Sequence, residues 1–171
     1  MILQIISLLI IAAYTTAVCI KGKGVPYSIS ATFYKLKHPY LFLATMWLTA
    51  GLLMPSILEI SKPGTEFVAF LSCVGMFMVG SAPNFKDKVE GRIHMTGAVM
   101  CVVFSQIWVL LNFPFALLPW GIYIVYTLAH YIKSEKVGFK NKFMDTKPMF
   151  WVEIFALASV FTTGFVLIFG K

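Results

Sequence analysis

Long apolar runs alternate along this chain with short polar connections, and the alternation predicts its elements. Six runs stand out, at about residues 2–20, 40–60, 65–82, 93–112, 115–132 and 149–170. A helix rises about 1.5 Å per residue, so runs of this length come close to or exceed the roughly 30 Å of a hydrocarbon core. The pattern predicts an all-α integral membrane bundle of six transmembrane helices. It forms a single domain over residues 1–171, with no internal repeat and no dividing linker.

Residues that break helices punctuate the runs. Gly22, Gly24 and Pro26 close the first, and Ser61-Lys62-Pro63-Gly64 makes a turn so short that the third run must lie antiparallel beside the second. Asn112-Phe113-Pro114 is a second tight turn. No basic residue precedes Lys21, so the first run reads as a retained span and not as a cleaved leader. In that run Ala13 and Ala17, four apart, predict a face for close helix packing. In the second, His38, Thr45, Thr49, Ser56 and Glu59 recur at helical spacing and predict a stripe turned toward the bundle, with Pro55 expected to kink the helix. In the fourth, His94, Gly97, Ala98, Cys101 and Ser105 share one small, weakly polar face.

Composition fixes the solvent. Only 12% of the residues are charged and 59% are hydrophobic, against roughly 25% charged in soluble domains. Lipid must surround most of the chain. The net charge of +7 is one-sided: twelve of the fourteen basic residues lie in the connections 21–39, 84–92 and 133–147, leaving only Lys62 and Lys171 elsewhere. Positive loops stay cytoplasmic, so these three are expected there and both termini outside. The same placement argues against nucleic acid as a partner and for anionic lipid head groups near the loop lysines. Tyr27, Phe33 and Tyr34 are expected at head-group level beside them. Cys19, Cys73 and Cys101 sit apart inside apolar runs, in no metal or disulfide spacing.

This orientation brings the candidate chemistry to one end. His94, His130 and Glu153 are the candidate catalytic groups, and Ser28, Ser30, Asn84 and His94 the candidate contacts for a lipid head group. His38, His94 and His130 are the imidazoles open to a metal, yet no HxxxH or HExxH spacing supports one, and interfacial histidines that bond across helices are the simpler reading. Glu153 lies more than a turn inside the sixth run, where a carboxylate needs a partner; Lys133 or His130 is expected to supply it. Nucleotide-binding and serine-hydrolase motifs are missing, and no cofactor is implied.

Two stretches carry a family resemblance. Pro26-Tyr27-Ser28-Ile29-Ser30 precedes the second run, and Asn84-Phe85 is followed by His94-Met95-Thr96-Gly97-Ala98 at the start of the fourth. Over roughly residues 25–110 the chain resembles the six-span damage-regulated autophagy modulators, the GPI-anchor lipid-remodelling proteins and related bacterial membrane families. Ala31 stands where that pattern commonly has Asp. The resemblance implies a membrane protein that acts on or senses lipid. Three functions follow as expectations. The first is lipid binding or sensing through a cytoplasmic-face cavity, the second a membrane-embedded lipid-modifying enzyme. The third is a small transporter or an accessory subunit, with homo- or hetero-oligomers open.

Overall fold

The computed structural model describes residues 1–170; Lys171 lies outside the described residues. The helices are α1 (Ile2–Lys21), α2 (Tyr40–Ile60), α3 (Glu66–Ser81), α4 (Lys88–Asn112), α5 (Pro119–Lys133), α6 (Phe139–Asp145) and α7 (Pro148–Phe169). Two 3₁₀ turns, Ser30–Lys35 and Pro114–Leu117, complete the regular structure. The all-α class stands. Five segments are long and apolar enough to cross a membrane: α1, α2, α4, α7, and α5 taken with the turn before it. The third apolar helix, α3, is shorter, at 16 residues, or about 24 Å of helix. The chain is a multi-span helical membrane protein.

Several boundaries differ from the predicted runs for local reasons. α4 begins at Lys88 and not near Ile93, because Asp87 caps it, accepting from the amides of Val89 at 2.8 Å and Glu90 at 3.0 Å. The lysine-rich connection after α5 is not all loop, since α6 forms within it. Pro55 is accommodated inside a continuous α2, on its exposed side.

α2, α3 and α4 form the tightest part of the bundle, with α3 between the other two. Glycine makes this possible where α3 meets α4. A Cβ on Gly75 would fall 2.6 Å from the Gly97 carbonyl oxygen, and one on Gly97 would fall 2.8 Å from the Gly75 carbonyl. α1 packs on α2, and α7 lies against α4 with sparser contact to α1 and α2. α5 buries no residue and hangs on the outside of α7.

Lipid tails are as apolar as Leu, so association here comes from packing and hydrogen bonds more than from hydrophobic burial. Bulky residues accordingly face outward without penalty, among them Leu48, Phe70, Leu110 and Val125. Many of the polar residues face inward. Thr45, Thr49 and Ser56 are buried while Leu41 and Leu48 are exposed, as the stripe on α2 predicts. Its end members, His38 and Glu59, are exposed. On α1 the inward face is Gln4, Ser7 and Ile11, and the expected Ala13–Ala17 face points out. Hydrogen bonds decide that rotation. Ser7 Oγ donates to the Thr49 carbonyl at 2.9 Å, and Gln4 Nε2 donates to the Phe161 carbonyl at 3.3 Å.

The two ends of the bundle are closed differently. At one end Lys62 serves as a cap for α4, its Nζ donating to the Leu111 carbonyl at 3.1 Å and its amide to Asn112 Oδ1 at 2.9 Å. A cation there also suits the negative end of the helix dipole. At the other end the connection 21–39 meets the connection 84–92 through Tyr34 and Asn84, while α6, within the connection 133–147, lies against α5 and α7.

Candidate functional site

Glu153 sits on the second turn of α7, which starts cleanly because Pro148 occupies its first turn. The segment before α2 docks onto this turn. Phe150 donates its amide to the Tyr27 carbonyl at 3.1 Å, and the Glu153 carboxylate then receives two donors from the next residues. The Ile29 amide reaches Oε2 at 2.5 Å, and Ser30 Oγ reaches Oε1 at 3.2 Å. The carboxylate thus meets the start of the Ser30–Lys35 turn, where free amides favour negative charge. Ser28 closes the turn from within, its Oγ accepting from the Ala31 amide at 2.9 Å. Thr32 and the Tyr14 hydroxyl, 2.6 Å apart, tie the turn to α1.

Behind Glu153 and Ser30 lies a cavity bounded by α1, α2, α3, α4 and α7. It has about 90 Å³ open to the centre of a water-sized sphere, where one water needs roughly 10–15 Å³. Its walls are mainly apolar, with Met46, Met76, Val79, Leu157 and Val160 among them. Ser30, Ser72 and Ser105 supply hydroxyls and Glu153 the one charged side chain; no lysine, arginine or histidine lines it.

The other candidate residues lie elsewhere. His94 is buried, its Nδ1 is 2.9 Å from the Ala82 carbonyl, and its ring rests on Phe85. A carbonyl only accepts, so Nδ1 carries the proton and the imidazole fastens the end of α3 to α4. Asn84 Oδ1 accepts from the Tyr34 hydroxyl at 3.0 Å, and that hydroxyl accepts from the Lys86 amide at 2.8 Å. Tyr34 also lies edge-on to Phe85 under the Lys86 ammonium. Phe33 packs against Phe42 in the bundle, so part of the aromatic set expected at the head groups instead pins this connection down. His38 is exposed beside Tyr40. His130 Nε2 is 3.8 Å from Asp145 Oδ2, which accepts from Ser134 Oγ at 2.8 Å. His130 therefore does not pair with Glu153, and neither does Lys133; backbone and Ser30 take that place. Among the described residues no three His, Cys, Asp or Glu side chains are grouped to hold a metal.

Two amides in the apolar runs also matter. Gln106 Oε1 accepts from Ser159 Oγ at 2.8 Å and Trp120 Nε1 at 3.0 Å, while its Nε2 donates to Ser105 Oγ at 3.0 Å and the Ala156 carbonyl at 3.4 Å. It joins α4, α5 and α7. Gln4 joins α1 to α7 and, through Ser56, to α2. Their position inside apolar runs was the readable signal, since an amide in hydrocarbon must find partners.

Comparison with family models, with curated proteins and with solved structures finds no match for this chain.

Proposed function

We propose that the chain is a six-span protein that holds a lipid in the cavity between α7 and the α2–α4 core, at its cytoplasmic end. One observation carries the reading: an apolar chamber inside a membrane bundle has a single carboxylate at its margin. Such a chamber suits the polar end of a lipid with a short alkyl segment behind it, because its walls offer that segment the environment it leaves in the bilayer. The intramembrane Glu153 is the group for which function is the default reading. The resemblance of residues 25–110 to lipid-remodelling families supports the same ligand class. Besides Glu153 the wall carries one other titratable side chain, Cys101, and no histidine.

The crossing of α3 and the orientation belong to this reading. α3 joins two long spans through a short turn and packs between them, which supports a full crossing in a locally thinned bilayer. The gathering of twelve of fourteen basic residues in three connections supports placing them in the cytoplasm.

Native mass spectrometry of the full chain, released from mild detergent, tests the proposal. The wild type is expected to carry a lipid-sized adduct, and Ala156→Leu, which fills the chamber from α7, is expected to lose it. No adduct on the wild type, or equal retention by the variant, would contradict it.

A further inference from the structure

We infer that the cavity takes a single-chain amphiphile whose polar end is a primary ammonium, in preference to one ending in phosphate, carboxylate or hydroxyl. The inference rests on the lipid-cavity reading and adds the chemistry of the head group.

Charge is the first argument. Glu153 is the only charged side chain on the cavity wall, and among the described residues it has no cationic partner. The loop lysines that would attract a phosphate do not line this chamber. An anionic head group would therefore meet a carboxylate with no positive charge to offset it. An ammonium would find its counter-ion, and a charge-assisted bond is stronger than one to a neutral hydroxyl.

Acceptor capacity is the second. A carboxylate offers about four lone-pair sites. The Ile29 amide and the Ser30 hydroxyl occupy one on each oxygen, holding the group in place while leaving acceptor capacity for a ligand N–H. Ser30 reaches the same wall, and its hydroxyl can accept a further N–H.

Shape is the third. From Glu153 to Val160 the wall on α7 extends for about 10 Å at helical rise, deep enough for a head group and the first part of a chain. Met46 and Met76 give it adaptable surface. A bare hard cation fits poorly, since calcium takes 6–8 oxygens and magnesium near-ideal octahedral oxygen geometry, where this wall offers one carboxylate and scattered hydroxyls.

The test uses the full chain in zwitterionic nanodiscs, with dodecylamine, dodecanol and dodecanoate as chain-matched probes and native mass spectrometry as the readout. Ala156→Leu measures binding outside the cavity. After that correction, the wild type is expected to bind dodecylamine at least about tenfold more tightly than either other probe. In Glu153→Gln, which keeps an oxygen for the Ile29 amide, the amine and the alcohol are expected to fall within about threefold of each other. Equal binding of amine and alcohol by the wild type, or an amine preference that survives Glu153→Gln, overturns the head-group inference and leaves the lipid cavity standing. If the wild type binds none of the three above the Ala156→Leu level, both fall. The wild-type comparison decides even where Glu153→Gln does not fold.

Discussion

Gly75 on α3 and Gly97 on α4 face each other so closely that a Cβ on either would fall within 3 Å of the other's carbonyl oxygen. Backbone fills the space beside Gly75, and backbone with the Met78 Cβ fills it beside Gly97, so no flexible side-chain tip can yield. Gly97→Val is expected to destabilise the folded protein by about 1–3 kcal/mol, the usual range for overpacking. Gly121 provides the control, because nothing lies within 4 Å of a Cβ built there. Gly121→Ala is expected to be neutral or to stabilise by up to about 1 kcal/mol through helix propensity. Thermal unfolding of the two variants in one detergent checks the contrast. Equal melting temperatures would remove the glycine seam from the account.

Gln106 has both ends of its amide engaged, with partners on α5 and α7. Gln106→Leu removes the acceptor used by Trp120 Nε1, while Ser159 Oγ keeps the Ala156 carbonyl at 2.9 Å. A deserted donor costs about 1–3 kcal/mol when fully buried, although intramembrane bonds average about 0.6 kcal/mol. A loss of about 1–2 kcal/mol is expected, together with a change in Trp120 fluorescence. Unchanged emission and stability would show that α5 is held by other contacts.

Asp87 supplies the pH dependence. It caps α4 in the connection before the span, and bonds from the Glu90 and Val89 amides lower its pKa below the ordinary carboxylate value. A lowered folded pKa means that its contribution is fully present above the unfolded value, about 3.9, and is lost as pH falls through the folded one. Asp87→Asn keeps a capping oxygen and is expected to flatten that acid limb, whereas Asp87→Ala should lower the melting temperature at neutral pH. Melting curves from pH 3 to pH 7 check both. An unchanged acid limb in Asp87→Asn would rule out Asp87 as its source.

Orientation is checked by labelling, in a background with Cys19→Ser. Pro63→Cys, on the exposed turn between α2 and α3, is expected to react with a membrane-impermeant thiol reagent from outside intact cells, and Lys140→Cys, exposed on α6, to stay unlabelled. The reverse pattern would place the lysine-rich end and the cavity margin outside.

The spans were legible because membrane helices announce themselves in composition: the start and end of α2 fall where the apolar run does. The inward stripe of Thr45, Thr49 and Ser56 was legible too, since hydrocarbon leaves polar groups few places to point. α1 departs from its small-residue pattern for an instructive reason. Ala13 and Ala17 had the right size for a packing face, but the obligatory bonds of Gln4 and Ser7 set the helix rotation. His94 lies on the second turn of α4, and its partner is a backbone carbonyl, which side-chain patterns do not advertise. The docking of Ile29 and Ser30 onto Glu153 joins positions more than 120 residues apart. No spacing rule connects them, so the carboxylate was visible and its partners were not.

Photolabelling tests the central claim, a lipid held inside the bundle, most directly. Native membranes containing the full chain would be exposed to an alkyl amine and, separately, to an alkyl alcohol, each carrying a diazirine, and labelled peptides mapped with and without the matching unlabelled amphiphile in excess. The expected label from at least one probe falls on residues 98–105 of α4 and 153–160 of α7, the segments that wall the cavity, and the competitor suppresses it. Label from both probes confined to exposed positions such as Ile122 and Val125 of α5, and indifferent to the competitor, would contradict the claim.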